Sequence, residues 1–155
     1  MMDNRRNLRD YSVCLLTLIA LDIFTAFGTL VYGYFDGTFE RAFANVDPSL
    51  ATVAKVVMGV ILALEVALIV AQILIGLKGI KISKNPTADK GYITAAKVFF
   101  VFSIIAAISY VISMFSITAE TAFNTIVSLL STLCNVACYA FFIKFANAVR
   151  QDALK

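Results

Sequence analysis

Four long, predominantly apolar stretches fill almost the whole of this 155-residue chain. Each holds roughly 20 or more residues, enough at about 1.5 Å per residue to cross a hydrocarbon layer roughly 30 Å thick. A soluble domain of this size does not keep four such stretches apolar. The sequence therefore predicts an all-α protein, a single domain over residues 1–155 that forms an antiparallel, up-and-down transmembrane bundle of four helices. The predicted helices cover residues 11–34, 52–77, 92–117 and 121–147.

Composition narrows the classes of function. Apolar residues make up 61% of the chain, so lipid is its expected solvent. The net charge is only +3 and the charges lie mostly between the apolar stretches, which argues against nucleic-acid binding. The chain has no histidine and no phosphate-binding glycine loop. We therefore expect no enzyme, no cofactor and no metal site.

Two smaller residue patterns also lead to expectations. Cys14, Cys134 and Cys138 fall inside apolar stretches and are expected to pack as small side chains instead of forming disulfides. Gly76 and Gly79 bracket Lys78 near the end of the second stretch, where glycine more often terminates a helix.

The cations indicate the orientation in the membrane. They cluster at the N-terminus, in the second loop and at the C-terminal end: Arg5, Arg6, Arg9, Lys78, Lys81, Lys84, Lys90, Lys144, Arg150 and Lys155. Four spans put these regions on one side, so both termini are predicted to be cytoplasmic, in a multi-pass protein of the plasma membrane. The loop from Lys78 to Lys90 contacts anionic lipids or serves only as a topology signal.

The other two loops predict local structure. Phe35, Phe39, Phe43 and Val46 share one face at helical spacing, which indicates a short interfacial helix in the first loop, or a helix extension or irregular loop with aromatic anchors. The third loop, residues 118–120, is so short that the third and fourth helices are expected to be antiparallel neighbours.

An amide and two carboxylates are predicted to form one layer inside the membrane. Asp22, Glu65 and Asn135 each lie about 11 to 12 residues from the cytoplasmic ends of their helices, or roughly 16 to 18 Å in. Because unpaired polar groups in hydrocarbon are costly, the helices are expected to turn these groups toward one another. Thr25 shares the face of Asp22, Ser131 shares that of Asn135, Gln72 lies a heptad after Glu65, and Lys97 lies about 8 Å in.

Two interpretations of this layer remain open. Asp22 and Glu65 supply charge at a cation or proton site, one of them staying protonated, while Asn135 and nearby hydroxyls supply neutral oxygen ligands. Alternatively, the same groups only hold the helices together by hydrogen bonds, with Lys97 as counter-ion. The first interpretation predicts an ion- or proton-linked small transporter or channel-like protein. The second predicts a non-transporting scaffold or regulatory subunit of a membrane complex.

The second helix carries a further surface. Small residues repeat every four positions along it: Gly59, Ala63, Ala67 and Ala71. This small-residue stripe lets helix backbones approach closely and lies roughly opposite Glu65 and Gln72 on the helix. A helix with two faces that both favour a protein neighbour indicates a homo-oligomer or a membrane-complex partner. Helix packing within one chain would also account for the small-residue stripe.

Overall fold

The computed structural model describes residues 2–37, 48–116 and 119–154. Four long helices account for most of them: α1 (Met2–Phe35), α2 (Pro48–Lys84), α3 (Gly91–Ser113) and α4 (Ala119–Ala153). A short 3₁₀ helix, Met114–Ser116, follows α3 directly. No strand occurs within the described ranges, and the predicted all-α class is confirmed there.

All four helices are long and apolar enough to cross a membrane. The spans that meet this condition are Asp3–Phe35, Thr52–Lys84, Gly91–Ser113 and Thr125–Ala153. Even the shortest, with 23 residues, reaches about 35 Å at the helical rise. The length and composition expected of a multi-pass membrane protein are therefore confirmed.

The ends of the helices differ from the predicted ones. α1 begins at Met2 instead of residue 11, α2 continues to Lys84 instead of residue 77, and α4 continues to Ala153 instead of residue 147. The added turns contain arginines and lysines, which are good helix formers and can be hydrated outside hydrocarbon. α3 is shorter than predicted and ends at Ser113. The apolar pattern marks the membrane-crossing part of a helix but not its ends.

The chain divides into two compact units. The larger unit comprises residues 1–18 and 72–155, and therefore the first half of α1, the last part of α2, and all of α3 and α4. The smaller unit comprises residues 19–71, the remaining parts of α1 and α2. The interfacial helix predicted in the first loop falls on residues 38–47, outside the described residues, and so does the start of the predicted third turn.

Aromatic rings hold α3 against α4 in the larger unit. Tyr92 meets Phe142 edge to face with ring centroids 6.0 Å apart, and Phe99 stacks on Tyr139 at 6.2 Å. Because the later residue of α3 pairs with the earlier residue of α4, the two helices run antiparallel. Phe142 is fully buried. The prediction that the third and fourth helices are antiparallel neighbours is confirmed.

Gly79 of α2 lies where α2 approaches α1 and α4 closely. A Cβ at Gly79 would come within 2.6 Å of Phe142 Cε2 on α4 and would also collide with the hydroxyl of Ser12 on α1. Ser12 and Phe142 are both fully buried. The prediction that Gly76 and Gly79 terminate the helix is therefore wrong, because α2 continues through both and Gly79 serves to bring the helices together.

The thiols also lie in this unit. Cys14 on α1 and Cys138 on α4 have their Sγ atoms 2.9 Å apart, while Cys134 is exposed one turn away. All three are free cysteines. Next to them, Tyr11 of α1 stacks on Phe141 of α4 with centroids 5.0 Å apart. The first half of α1 therefore packs on α4 through sulfur and aromatic contacts.

Candidate functional site

A pocket in the smaller unit contains one of the predicted carboxylates. It has a volume of about 390 Å³ and is lined by Leu30 of α1 and by four residues of α2: Met58, Ile61, Leu62 and Glu65. Glu65 is the one ionisable residue in this lining. Among the described residues, no side chain forms an ion pair or hydrogen bond with its carboxylate. The pocket therefore combines an apolar wall with one acidic group.

Helical spacing gathers the α2 side of the pocket. Residues 58, 61, 62 and 65 lie at positions i, i+3, i+4 and i+7, so they share one face of α2. Glu65 was predicted as a site residue, but its apolar neighbours were not. These neighbours could have been predicted from their spacing relative to Glu65. Leu30 of α1 could not, because its position in the pocket depends on the register between α1 and α2.

Asp22 and Thr25 lie on α1 in the same unit. Both are exposed, and the Thr25 hydroxyl donates a hydrogen bond to the Leu21 carbonyl at 2.9 Å. Neither residue lines the Glu65 pocket. That Asp22 and Glu65 form one polar layer stays a prediction.

The amides and the second hydroxyl belong to the larger unit. Asn135, Gln72 and Ser131 are all half-buried. Asn135 lies three residues before Cys138 on α4. Their predicted role as neutral ligands of the Asp22 and Glu65 site stays a prediction.

Lys97 lies in a different cavity from the one around Glu65. That cavity belongs to the larger unit, where the start of α3 and the end of α4 meet, and Lys97 shares it with two other cations, Lys90 and Arg150. The contribution of Arg150 was not predicted. It lies 53 residues from Lys97 in the sequence, and the antiparallel packing of α3 on α4 brings them to one cavity.

The small-residue stripe on α2 is open in the single chain. Gly59, Ala63 and Ala67 are exposed, and Ala71 is half-buried. A Cβ at Gly59 would meet nothing within 4 Å. Every residue from Gly59 to Leu68 is exposed, so the described part of this chain leaves the stripe free for lipid or for another protein.

An ion pair anchors the loop between α2 and α3. The ammonium of Lys78 lies 2.5 Å from the carboxylate of Asp89, which also accepts a hydrogen bond from the backbone N–H of Gly91 at 2.8 Å. The hydrogen bond from Lys78 lowers the pKa of Asp89 below its usual value of 3.8, and the Gly91 N–H adds to this. One lysine of the loop proposed for lipid contact is therefore already paired.

Comparison with known families and proteins does not assign this chain to a family. No protein family, no curated protein and no solved structure matches this chain, so its own residues are what bears on its function.

Proposed function

We propose that this protein is a small ion- or proton-linked membrane transporter or channel-like protein in which the Glu65 carboxylate binds the proton or cation that moves. One observation carries this proposal. Glu65 lies within a stretch of α2 that is long and apolar enough to span a membrane, and it lines an apolar pocket of about 390 Å³. Intramembrane acids are functional by default, because their cost in hydrocarbon is hard to offset otherwise.

A charge on Glu65 would be costly in hydrocarbon. An ionised acid at the centre of a membrane helix costs roughly 2.5–3.5 kcal/mol or more. No described side chain pairs with this carboxylate, so a proton or a bound cation is the available means of neutralising it. A carboxylate that holds one or the other, but not both, couples their movement by competition.

The pocket also indicates the chemical class of the cation. Its volume falls in the range of small-molecule sites, about 300–1,000 Å³. Leu30, Met58 and Ile61 offer apolar contact to a ligand whose charge meets Glu65. A cation with an apolar body suits this lining better than a bare metal ion, which needs several oxygen ligands.

Five of the other predicted groups have supporting roles in this proposal. Asp22 is the second carboxylate, and Thr25 is the hydroxyl near it on α1. Asn135, Gln72 and Ser131 offer neutral oxygen ligands within the larger unit. Both termini are cytoplasmic in the plasma membrane, since the arginines and lysines concentrate at that end.

Cation binding to the purified protein tests the role of Glu65. Tetraphenylphosphonium, an apolar cation, should bind the detergent-solubilised chain at neutral pH. Glu65→Gln should abolish this binding. Glu65→Asp should retain part of it, and Asp89→Asn, which removes an acid outside the pocket, should leave it unchanged.

Transport in liposomes then tests the proposal as a whole. The double variant Asp22→Asn, Glu65→Gln should lose proton- or cation-driven flux. Cysteines introduced at Thr25 or Ser131 should react with aqueous thiol reagents, because a transport path must admit water. Unchanged flux and pH dependence in the double variant, or protected cysteines, would refute the proposal.

The exposed small-residue stripe favours a second candidate, a scaffold or regulatory subunit that assembles with itself or a membrane partner. Gly59, Ala63 and Ala67 allow close backbone approach of another helix. Ala63→Leu with Ala67→Leu should then lower the oligomeric mass in detergent. Val57→Leu adds bulk on a different face, about 120 degrees away at 100 degrees per residue, and should not. Equal masses for all three proteins would contradict assembly through this stripe.

A further inference from the structure

A second polar cavity opens where α3 begins and α4 ends. It has a volume of about 220 Å³ and lies wholly within the larger unit. Two turns of α3 supply one wall and the last turns of α4 supply the other. Its lining residues are Lys90, Ile93, Thr94, Lys97, Asn147 and Arg150.

The lining of this cavity is cationic. It contains two lysines and one arginine but no acidic side chain. Within the described part of the chain, Lys90 and Lys97 form no ion pair. Arg150 donates from Nε to the carbonyl of Ala88 at 3.1 Å, which holds the guanidinium in place and leaves its terminal N–H groups for a ligand. Three positive charges around one small cavity favour an anion.

The acid nearest in sequence is paired with a lysine that does not line the cavity. Asp89 is paired with Lys78 and accepts the N–H of Gly91. The cavity also lies at the N-terminal end of α3, which starts at Gly91, so the helix dipole adds to the positive potential. This dipole is a secondary contribution, because the three side-chain charges dominate.

An apolar track leads away from the cavity along α3. Thr94 and Lys97 begin an exposed face that continues through Val101, Ile105 and Ile108, each of which is more than half exposed. From Lys97 to Ile108 the track is about 16 Å long at the helical rise, close to half of a roughly 30 Å hydrocarbon core. A polar cavity that continues into such a track matches a molecule with an anionic head and an apolar tail.

We infer that this cavity binds the phosphate of an anionic phospholipid, with one acyl chain along Val101, Ile105 and Ile108. Lys97 and Arg150 contact the phosphate from opposite walls, and Lys90 adds charge at the rim. Basic pockets between membrane helices are suited to such headgroups. The inference does not depend on the transport proposal, since it uses none of the residues of the Glu65 pocket.

Lipid binding to the full-length protein in detergent tests this inference. Native mass spectrometry should show phosphatidylglycerol binding more tightly than phosphatidylcholine. Lys97→Gln with Arg150→Gln should weaken phosphatidylglycerol binding by about 25-fold, from roughly fivefold for each cation near the membrane surface. Lys97→Arg keeps the charge and should retain binding, which shows that the site tolerates substitution.

Matched controls distinguish lipid binding in this cavity from attraction of the lipid to surface charge in general. Lys81→Gln with Lys144→Gln removes the same net charge from exposed positions and should change binding by less than a few-fold. Equal weakening in the two double variants would overturn the inference. Glu65→Gln should retain the lipid, so the two proposals can fail independently.

A further arm separates a lipid from a free anion. Inorganic phosphate and glycerol phosphate should compete with phosphatidylglycerol only weakly, because they lack the chain that lies along α3. If either binds as tightly as the lipid, the site is one for soluble phosphate and the lipid inference is wrong. Ile105→Asn, on the track but outside the cavity, should weaken lipid binding and leave phosphate binding unchanged.

Discussion

Replacing Gly79 by alanine should destabilise the larger unit, although alanine is the better helix former. The new methyl group would lie within 2.6 Å of the Phe142 ring and would collide with the Ser12 hydroxyl. Both neighbours are fully buried, and Phe142 is further held by Tyr92. Neither can move aside without disturbing a second helix. At Gly76 the nearest atoms belong to the flexible side chain of Leu16, so alanine there should be tolerated better.

The expected magnitude follows from two opposing contributions. Alanine in place of glycine inside a helix gains about 1 kcal/mol. An extra methyl in a well-packed core typically costs about 1–3 kcal/mol, and the clash with two fixed groups at Gly79 puts it at the upper end. The net loss of unfolding free energy should be about 1–2 kcal/mol. Gly28, which has nothing within 4 Å of an added Cβ, is the matched control and should gain up to about 1 kcal/mol.

Thermal unfolding in detergent measures this difference. The chain has no tryptophan, so the reaction of the buried Cys138 thiol with a fluorogenic maleimide is the better signal, in a Cys134→Ser background that removes the exposed thiol. At about 2–4 °C per kcal/mol, the midpoints of Gly79→Ala and Gly28→Ala should differ by roughly 2–12 °C. Equal midpoints would refute the close approach of α2 to α1 and α4.

Three further predictions concern the same unit. The Tyr92 hydroxyl is buried and has no hydrogen-bond partner within the described ranges, so Tyr92→Phe should raise stability by about 1 kcal/mol; a loss would reveal a partner. Because the pKa of Asp89 is lowered, its pair with Lys78 stabilises the fold above about pH 4. The original chain should therefore be more stable than Asp89→Asn at neutral pH, and the difference should vanish as the pH falls through the lowered pKa. A difference in stability that does not change with pH would contradict this. Diamide should oxidise Cys14 and Cys138 to an intramolecular disulfide, with both hydrogens transferred to the reagent and a matching loss of mass, and Cys14→Ser should prevent it.

The apolar pattern was sufficient to predict the four spans and the antiparallel pairing of α3 and α4. Both follow from local quantities, namely stretch length and the shortness of one loop. The ends of α1 and α2 did not follow, because Arg5 and Lys81 leave the apolar pattern while they continue the helix. Gly79 shows the same limit, since only the packing of α2 on two other helices explains it.

The candidate sites show the same limit, since part of each is visible in the sequence and part depends on how the helices pack. Glu65 stands out in the sequence as an acid in an apolar stretch, and the spacing of Met58 and Ile61 relative to it is also visible there. The pairing of α2 with Leu30 is not, because it depends on how far one helix is shifted along the other. The cavity lined by Lys90, Lys97 and Arg150 depends on the register of α3 against α4. The aromatic contacts between the two helices fix that register, and composition gives no information about it.

The burial of the larger unit has a practical consequence for purification. Its centre, around Leu8, Leu15 and Phe142, is sealed by other side chains of the same chain, and extraction from the membrane should leave it unaltered. Residues 59–68 have no such cover and rely on whatever surrounds the protein. Circular dichroism would record the same helical content whether or not that surrounding is restored. A difference in behaviour between detergent and liposomes would then reflect the environment of Glu65, not unfolding.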